Sequence, residues 1–382
     1  MKHKEPDWVP VDLGAVGSPM NEIISYKPNL NEVLQRLRLL YSRCGQDRIF
    51  ATMKTPNKKL EKFQREHSES FCEYPDPCQR IEFWDAVLRE NIGVDDDAIP
   101  SVYLSEFDQG LYGGLLGGDI RFLCHPENGW ISSMVPPLLN NWSEFYDLKF
   151  DEFNPWWHRY INQLKIFAKE TSGKFGISHF ILIDGLNFVF ELRGATKTYT
   201  DLIDMPDKIH EAIEFAFNLN VKVQDTFFKI VPDLLGGTCS NMVQWIPGKI
   251  VSESVDPFHM TSVDYFEKWG REPIERIFRH FDGGVLHIHG NGRHLLPAVS
   301  SLKGLKAIFL GDDRGFPLAF DILGKLKAGT KSMSLVVEVD FEKFKKSLDQ
   351  HKLPGGVFYQ VKKAPDIYTA NRYMEKVRSY RL

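Results

Sequence analysis

Cysteine is scarce in this chain, and the five present (Cys44, Cys72, Cys78, Cys124 and Cys239) are odd in number and widely scattered. That pattern excludes a disulfide framework and fits reduced thiols in the cytoplasm. Cys72 and Cys78 match no common zinc spacing, so they read as loop cysteines. No apolar run approaches the roughly 18 residues of a membrane span. The start, MKHKEPDWVPVDLG, is polar with two prolines and lacks the apolar core of a signal peptide. The expectation is a cytoplasmic protein that does not enter a membrane. Basic excess is missing as well: 47 Lys and Arg face 51 Asp and Glu, a net charge of -4, which argues against a nucleic-acid partner. Neither a dinucleotide fingerprint nor a Walker lysine is present; GLYGGLLGG at 110–118 lacks the spacing of both and reads as a turn-rich connection. There is no internal repeat and no low-complexity stretch.

What remains is a chain with 43% hydrophobic residues, enough for a large core. Residues 1–100 read as a helical extension, with helix-spaced apolar positions at 31–44 and 79–90. The run Asp95, Asp96, Asp97 and Pro100 closes it as a solvated turn. From 101 to 382 the pattern becomes short apolar runs, each followed by a longer amphipathic stretch. Runs at 102–107, 180–184, 237–243, 250–255, 285–289, 307–310, 335–339 and 357–361 read as strands. Helices are expected near 154–172, 206–229, 261–281, 292–301, 316–327, 341–351 and 365–380, and a hairpin insertion within 119–150. Eight strands alternating with helices predict an α/β protein, a (β/α)8 TIM-type barrel with a helical N-terminal extension.

In such a barrel the chemistry sits at the C-terminal ends of the strands. Reading those ends gives Glu106 and Asp108, Asp184 and Asn187, Asn241, Glu253 and Asp256, His287, His289 and Asn291, Asp312, and Tyr359. His287 and His289 are two apart on one strand and share a face. Two imidazoles so placed can bind zinc if another strand supplies a third ligand, with Glu253, Asp256, Cys239 and Asp312 as candidates. They can equally orient a substrate carboxylate, or fill the mouth. Asp184, Asp312 and Glu106 are the acid–base candidates; Asp108, Asn187, Asn241, Asn291 and Tyr359 are the candidates for holding a small-molecule substrate. Helix capping competes for Asp312, and only one of Tyr359 and Gln360 can face inward.

From about residue 102 onward the chain resembles the uroporphyrinogen decarboxylase superfamily. The stretches that carry this are PGKIVSESVD at 247–256, FHMTSVDYFEKW at 258–269, HIHGNG at 287–292, LKGLKAIFLGDD at 302–313 and LPGGVFYQV at 353–361. The resemblance implies an α/β barrel, often dimeric, that works as a tetrapyrrole decarboxylase or as a corrinoid-linked methyltransferase. Two departures stand out. The segment set against the family's arginine-rich motif near the first strand is SEFDQG at 105–110, acidic where the decarboxylases need cations. The methyltransferases hold zinc with His-x-Cys and a later Cys; here His289 takes the Cys position, and no cysteine follows near 355–359. Zinc on His287, His289 and Glu253 or Asp256 is a harder set, suited to an oxygen or nitrogen substrate. The expectation is a zinc methyltransferase passing a methyl group between a small methylated molecule and a corrinoid. The corrinoid would come on a partner protein, since no Asp-x-His-x-x-Gly motif occurs in the chain. A decarboxylase, a metal-dependent hydrolase and a non-catalytic binding barrel are the alternatives.

Overall fold

A computed structural model describes residues 24–382 of the chain. The amino-terminal stretch read above for a signal peptide lies outside them. The centre is a six-stranded all-parallel sheet in the order Ile49–Met53, Val357–Lys362, Ser334–Asp340, Leu305–Leu310, Gly284–Ile288, Val251–Ser254. These strands are near-continuous apolar runs buried on both faces, as parallel strands under helices must be. A second sheet runs Ser101–Tyr103, Gly176–His179, Gly237–Ser240, Gln244–Pro247. The two sheets meet where Ile181 bridges Ser252 in parallel and the Leu182 N–H donates to the Ser252 carbonyl at 2.8 Å. At the other edge, the Asp97 N–H donates to the Ala51 carbonyl at 2.9 Å. A small antiparallel sheet (Ser70–Cys72, Arg121–His125, Trp130–Met134) contains the hairpin expected within 119–150.

Cross-strand partners in a parallel sheet share a face, so the register sorts side chains. Phe50, Val285, Ala307, Val336 and Phe358 form one buried cluster with Trp245 and with Val33, Leu34, Leu37 and Leu40 of helix Leu30–Tyr41. Ala51, Leu286, Ile308, Val337 and Tyr359 lie on the opposite face, each directly following a residue of that inner cluster along its strand, and all five are buried. There they meet the helices that follow each strand, among them Pro155–Thr171, Pro206–Ile230, Phe341–Asp349 and Ile367–Ser379.

Four readings of the sequence change. The strand Ile49–Met53 falls inside the stretch assigned to a helical extension, yet it pairs along its whole length with Val357–Val361. The run 237–243 is the first arm of a two-stranded hairpin with Gln244–Pro247, not a strand followed by a helix. Residues 110–118 begin with a short helix, Gly110–Leu115. The acidic run 95–97 is no solvated turn either. Asp97 is fully buried, pairs with Arg36 at 2.6 Å and accepts from the Ala51 N–H at 2.9 Å. Asp96 holds Lys27 at 3.0 Å and the Met53 N–H at 2.8 Å. These two carboxylates stitch the first strand and the helix before it to the rest of the molecule. Among the described residues, no helix is long and apolar enough to cross a membrane.

Candidate metal centre

Strand Gly284–Ile288 carries His287 on its inner face, in register with Ser254 and Phe309. His289 follows at the strand's end and opens the tight turn Gly290–Leu295. On the neighbouring strand the chain leaves Ser254 and makes a second tight turn, Asp256–Phe258, whose first residue reaches back toward the histidines. The His287 Nε2 lies 3.3 Å from the Asp256 Oδ1, and the His289 Nε2 lies 4.0 Å from the same oxygen. Ligand atoms of all three lie within 4.8 Å of one another, a candidate metal-binding group. With metal–ligand bonds of about 2.1 Å, neighbouring ligands of a tetrahedral ion stand roughly 3.4 Å apart. The shorter distance already matches, and the 4.0 Å one closes with a side-chain adjustment of roughly 0.6 Å on that basis. Asp256 Oδ1 is shielded from solvent and faced by the imidazole nitrogens of His287 and His289, an oxygen placed where a shared cation would bind.

The second nitrogen of His289 is engaged. Its Nδ1 lies 2.9 Å from Asp313 Oδ1, and the other Asp313 oxygen accepts the Gly290 N–H at 2.7 Å. A carboxylate on Nδ1 fixes the tautomer that leaves the Nε2 lone pair facing Asp256 and His287. Charges here lean on one another. Burial works to raise the Asp256 pKa, but the hydrogen bond and charge of His287, with His259 and His289 behind, hold it well below the usual carboxylate range. Burial works to lower His287, and Asp256 more than offsets this, so its pKa is raised. A third imidazole, His259, stands 3.6 Å from Asp256 with its Nε2 unpartnered, and burial pushes its pKa down to about 4. Gly292 permits this packing: a Cβ there would come within 2.0 Å of the His259 ring.

Other predicted residues border this group. Asp108 lies close enough for the charges of His287 and Asp256 to act on it, and the Tyr103 hydroxyl sits within hydrogen-bonding reach of both Asp108 and Asn241. The backbone holds Asp108 in an uncommon way. Gln109 has φ 59° and ψ -60°, and the Gly110 N–H closes a three-residue turn onto the Asp108 carbonyl at 2.7 Å. A γ-turn of this hand is strained by about 1–3 kcal/mol, a cost met by the surroundings; here the Ser133 hydroxyl donates to the same carbonyl. Asn291 lies in the turn after His289, with its Oδ1 buried and unpartnered. Tyr103 and Asn241 also line a cavity of about 320 Å³, walled by Trp84 and Trp130.

The remaining candidates go elsewhere. Glu253 is in register with Leu286, so its carboxyl points to the helix side, away from the histidines. There its Oε1 accepts from Asn187 Nδ2 at 3.1 Å and from the Ser254 N–H at 3.0 Å, and it does not belong to the converging ligand set. Asn187 is committed to Glu253 and to the Ser254 carbonyl. Asp184 sits beside Glu253 at the start of helix Gly185–Arg193, where burial pushes its pKa up to about 7. Glu106 is buried in an ion pair with Arg80 at 2.5 Å and accepts from Gln163. Asp312 accepts from Arg293 at 2.8 Å and from the Ala319 N–H at 2.7 Å, a structural clasp. Tyr359 faces the helices, packs on Phe344 and Phe320, and donates its hydroxyl to the Pro354 carbonyl. None of His259, Glu191 and Asp313 is among the site residues read from the sequence. The first strand of the sheet is Ile49–Met53, so the segment following it begins at Lys54. The comparison of 105–110 with an arginine motif at a first strand therefore falls away.

No family model matches the chain, and no curated protein matches it. Among solved structures, a methyltransferase from Methanosarcina mazei is similar in fold. The two share 14% sequence identity and a TM-score of 0.57, over 91% of this chain and 98% of that one.

Proposed function

We propose that the chain is a zinc-dependent methyltransferase on a (β/α)8-type barrel. It would move a methyl group between a small methylated molecule and a corrinoid held by a partner protein. The barrel reading is supported by eight strands each followed by a helical segment, and by the parallel bridge between Ile181 and Ser252 beside the central sheet's last strand. The likeness in fold to a methyltransferase over nearly all of both chains points the same way. The observation that carries the reading is the convergence of Asp256, His287 and His289. Three protein ligands of this kind leave a fourth position for substrate, the arrangement of catalytic rather than structural zinc. Bound there, zinc supplies Lewis acidity toward the heteroatom that bears the methyl group.

The chain's own groups do the rest. Asp313 aims His289, and the buried strand behind His287 fixes the second ligand. Asp108, with Tyr103 beside it, stands where it can exchange a hydrogen bond with the substrate's heteroatom. Elemental analysis of protein purified without chelator or immobilised nickel tests the reading, together with optical detection of methylcobalamin from free cob(I)alamin and a panel of methyl donors. The expected result is about one zinc per chain, lost in His289→Ala and Asp256→Ala, with methyl transfer lost alongside. Protein that takes up no zinc at micromolar free metal would remove this function.

A further inference from the structure

Beside the metal group lie acceptors with nothing to accept. Asp108 Oδ1, Glu191 Oε2 and Asn241 Oδ1 are each shielded from solvent without a hydrogen-bond donor. Asp108 and Glu191 are near enough for one charge to act on the other, and Asp108 stands in the same relation to His287 and Asp256. The orphans therefore form one neighbourhood, continuous with the proposed open position. A buried acceptor without a donor costs about 1–3 kcal/mol, so several on one side of a site favour a ligand that donates.

The chain's nearby guanidinium groups do not answer this need. Arg293 gives its two Nη groups to Asp312 and to the Gly311 and Pro317 carbonyls, with its Nε unpartnered, and Arg193 is spent on Asp201 and the Leu139 and Asn140 carbonyls. Both carboxyls are held firmly. Asp108 rides on the strained turn at Gln109, and Glu191 on helix Gly185–Arg193, whose last residue is pinned by the Asp201 ion pair.

We propose that Asp108 and Glu191 form a carboxyl clamp that selects a substrate head rich in N–H donors, a primary or secondary ammonium, and rejects a carboxylate. The proposal rests on the mouth being the substrate site, and it goes further by naming the substrate's charge. A bound ammonium supplies the N–H donors that Asp108 Oδ1 and Glu191 Oε2 lack. The adjoining cavity of about 320 Å³, walled by Trp84, Trp130 and Tyr103, leaves room for an apolar body behind the head.

Calorimetric titration of the full chain with propylammonium and with butyrate, matched in size and opposite in charge, tests the clamp. Propylammonium binds at least tenfold more tightly than butyrate. Glu191→Gln and Asp108→Asn each weaken it tenfold or more, and Glu191→Asp recovers part of the loss. Butyrate binding equal to or tighter than propylammonium, binding of neither, or both amide variants within twofold of the parent overturns the clamp. Zinc content, measured on the same samples, separates the two ideas. Ammonium selectivity without zinc removes the metal reading and keeps the clamp; zinc without selectivity does the reverse.

Discussion

The imidazole of His289 is tied at one nitrogen and free at the other, and the tie is a single carboxylate on the next strand's loop. Asp313 serves both the ring and the Gly290 N–H, so it sets where the ligand points and the shape of the turn that presents it. Carboxylates in this position typically change metal affinity 10–100-fold when removed. Asp313→Ala is therefore expected to weaken zinc about 10–100-fold in a competition assay against a chelating dye, with little change in melting temperature. Its neighbour gives the contrast. Asp312 joins Arg293 to the Ala319 N–H and touches none of the ligands. Asp312→Ala should cost about 1–3 kcal/mol in urea unfolding and leave zinc affinity within twofold. Two adjacent aspartates with the losses exchanged would mean that the loop 311–319 is wrongly placed.

Helix Gly185–Arg193 links two kinds of acid. Its far end carries Glu191, whose Oε2 is shielded from solvent without a donor, while at its start Asp184 lies beside Glu253 around a gap lined by Gly185, Asn187 and Pro273. Neither Asp184 Oδ1 nor Glu253 Oε2 has a donor, and Glu253 is only 1% exposed. Burial raises the pKa of Asp184 to about 7 and pushes Glu253 well above its ordinary value. An Asp that ionises near 4 when unfolded and near 7 when folded binds more protons in the fold between those values. Stability then falls as pH rises through that window, and the full penalty stands above pH 7. Asp184→Asn keeps the shape, stays neutral, and offers an N–H toward Glu253. It should gain about 1–3 kcal/mol over the parent at pH 8 and nothing at pH 4, read from urea midpoints. A variant less stable at both pH values would show that Asp184 is ionised in the fold.

The same helix shows where the sequence was legible. The paired histidines could be placed because strand periodicity puts residues two apart on one face, whatever the fold details. Which acid joins them could not be read, because Glu253 and Asp256 differ only by a strand's parity and a turn that follows it. Glu253 falls on the helix-facing side, and the turn at Asp256–Phe258 swings the second acid back. Tyr359 and Gln360 posed the same parity question, and the register with Val337 settles it for Tyr359. Glu191 is one acid in an otherwise apolar helix, GLNFVFELR, and nothing local marks it out. The expected strands changed in membership, and the central parallel sheet has six. IFATM at 49–53 hides between helical stretches, and the β-rich run 237–243 proved to be half of a hairpin.

At the scale of the whole molecule, the first hundred residues are where the amino-acid pattern and the packing disagree most. Helix Leu30–Tyr41 buries Val33, Leu34, Leu37 and Leu40 against the inner cluster. At about 1.5–3 kcal/mol for each such side chain, that face alone approaches the 5–15 kcal/mol by which domains of this kind are stable. Ile49–Met53 adds five residues of parallel pairing to Val357–Val361, whose outer edge would otherwise be bare. Asp96 and Asp97 tie that strand, Lys27 and Arg36 together through buried charge, and losing one partner of such a pair costs about 3–5 kcal/mol. A chain beginning at residue 101 loses all three contributions at once. It should show no cooperative urea transition by circular dichroism and should bind no zinc, because Asp256, His287 and His289 are set by the strands that the missing part supports. A sigmoidal transition from that shortened chain, with a slope in proportion to its length, would make the first hundred residues a separate appendage.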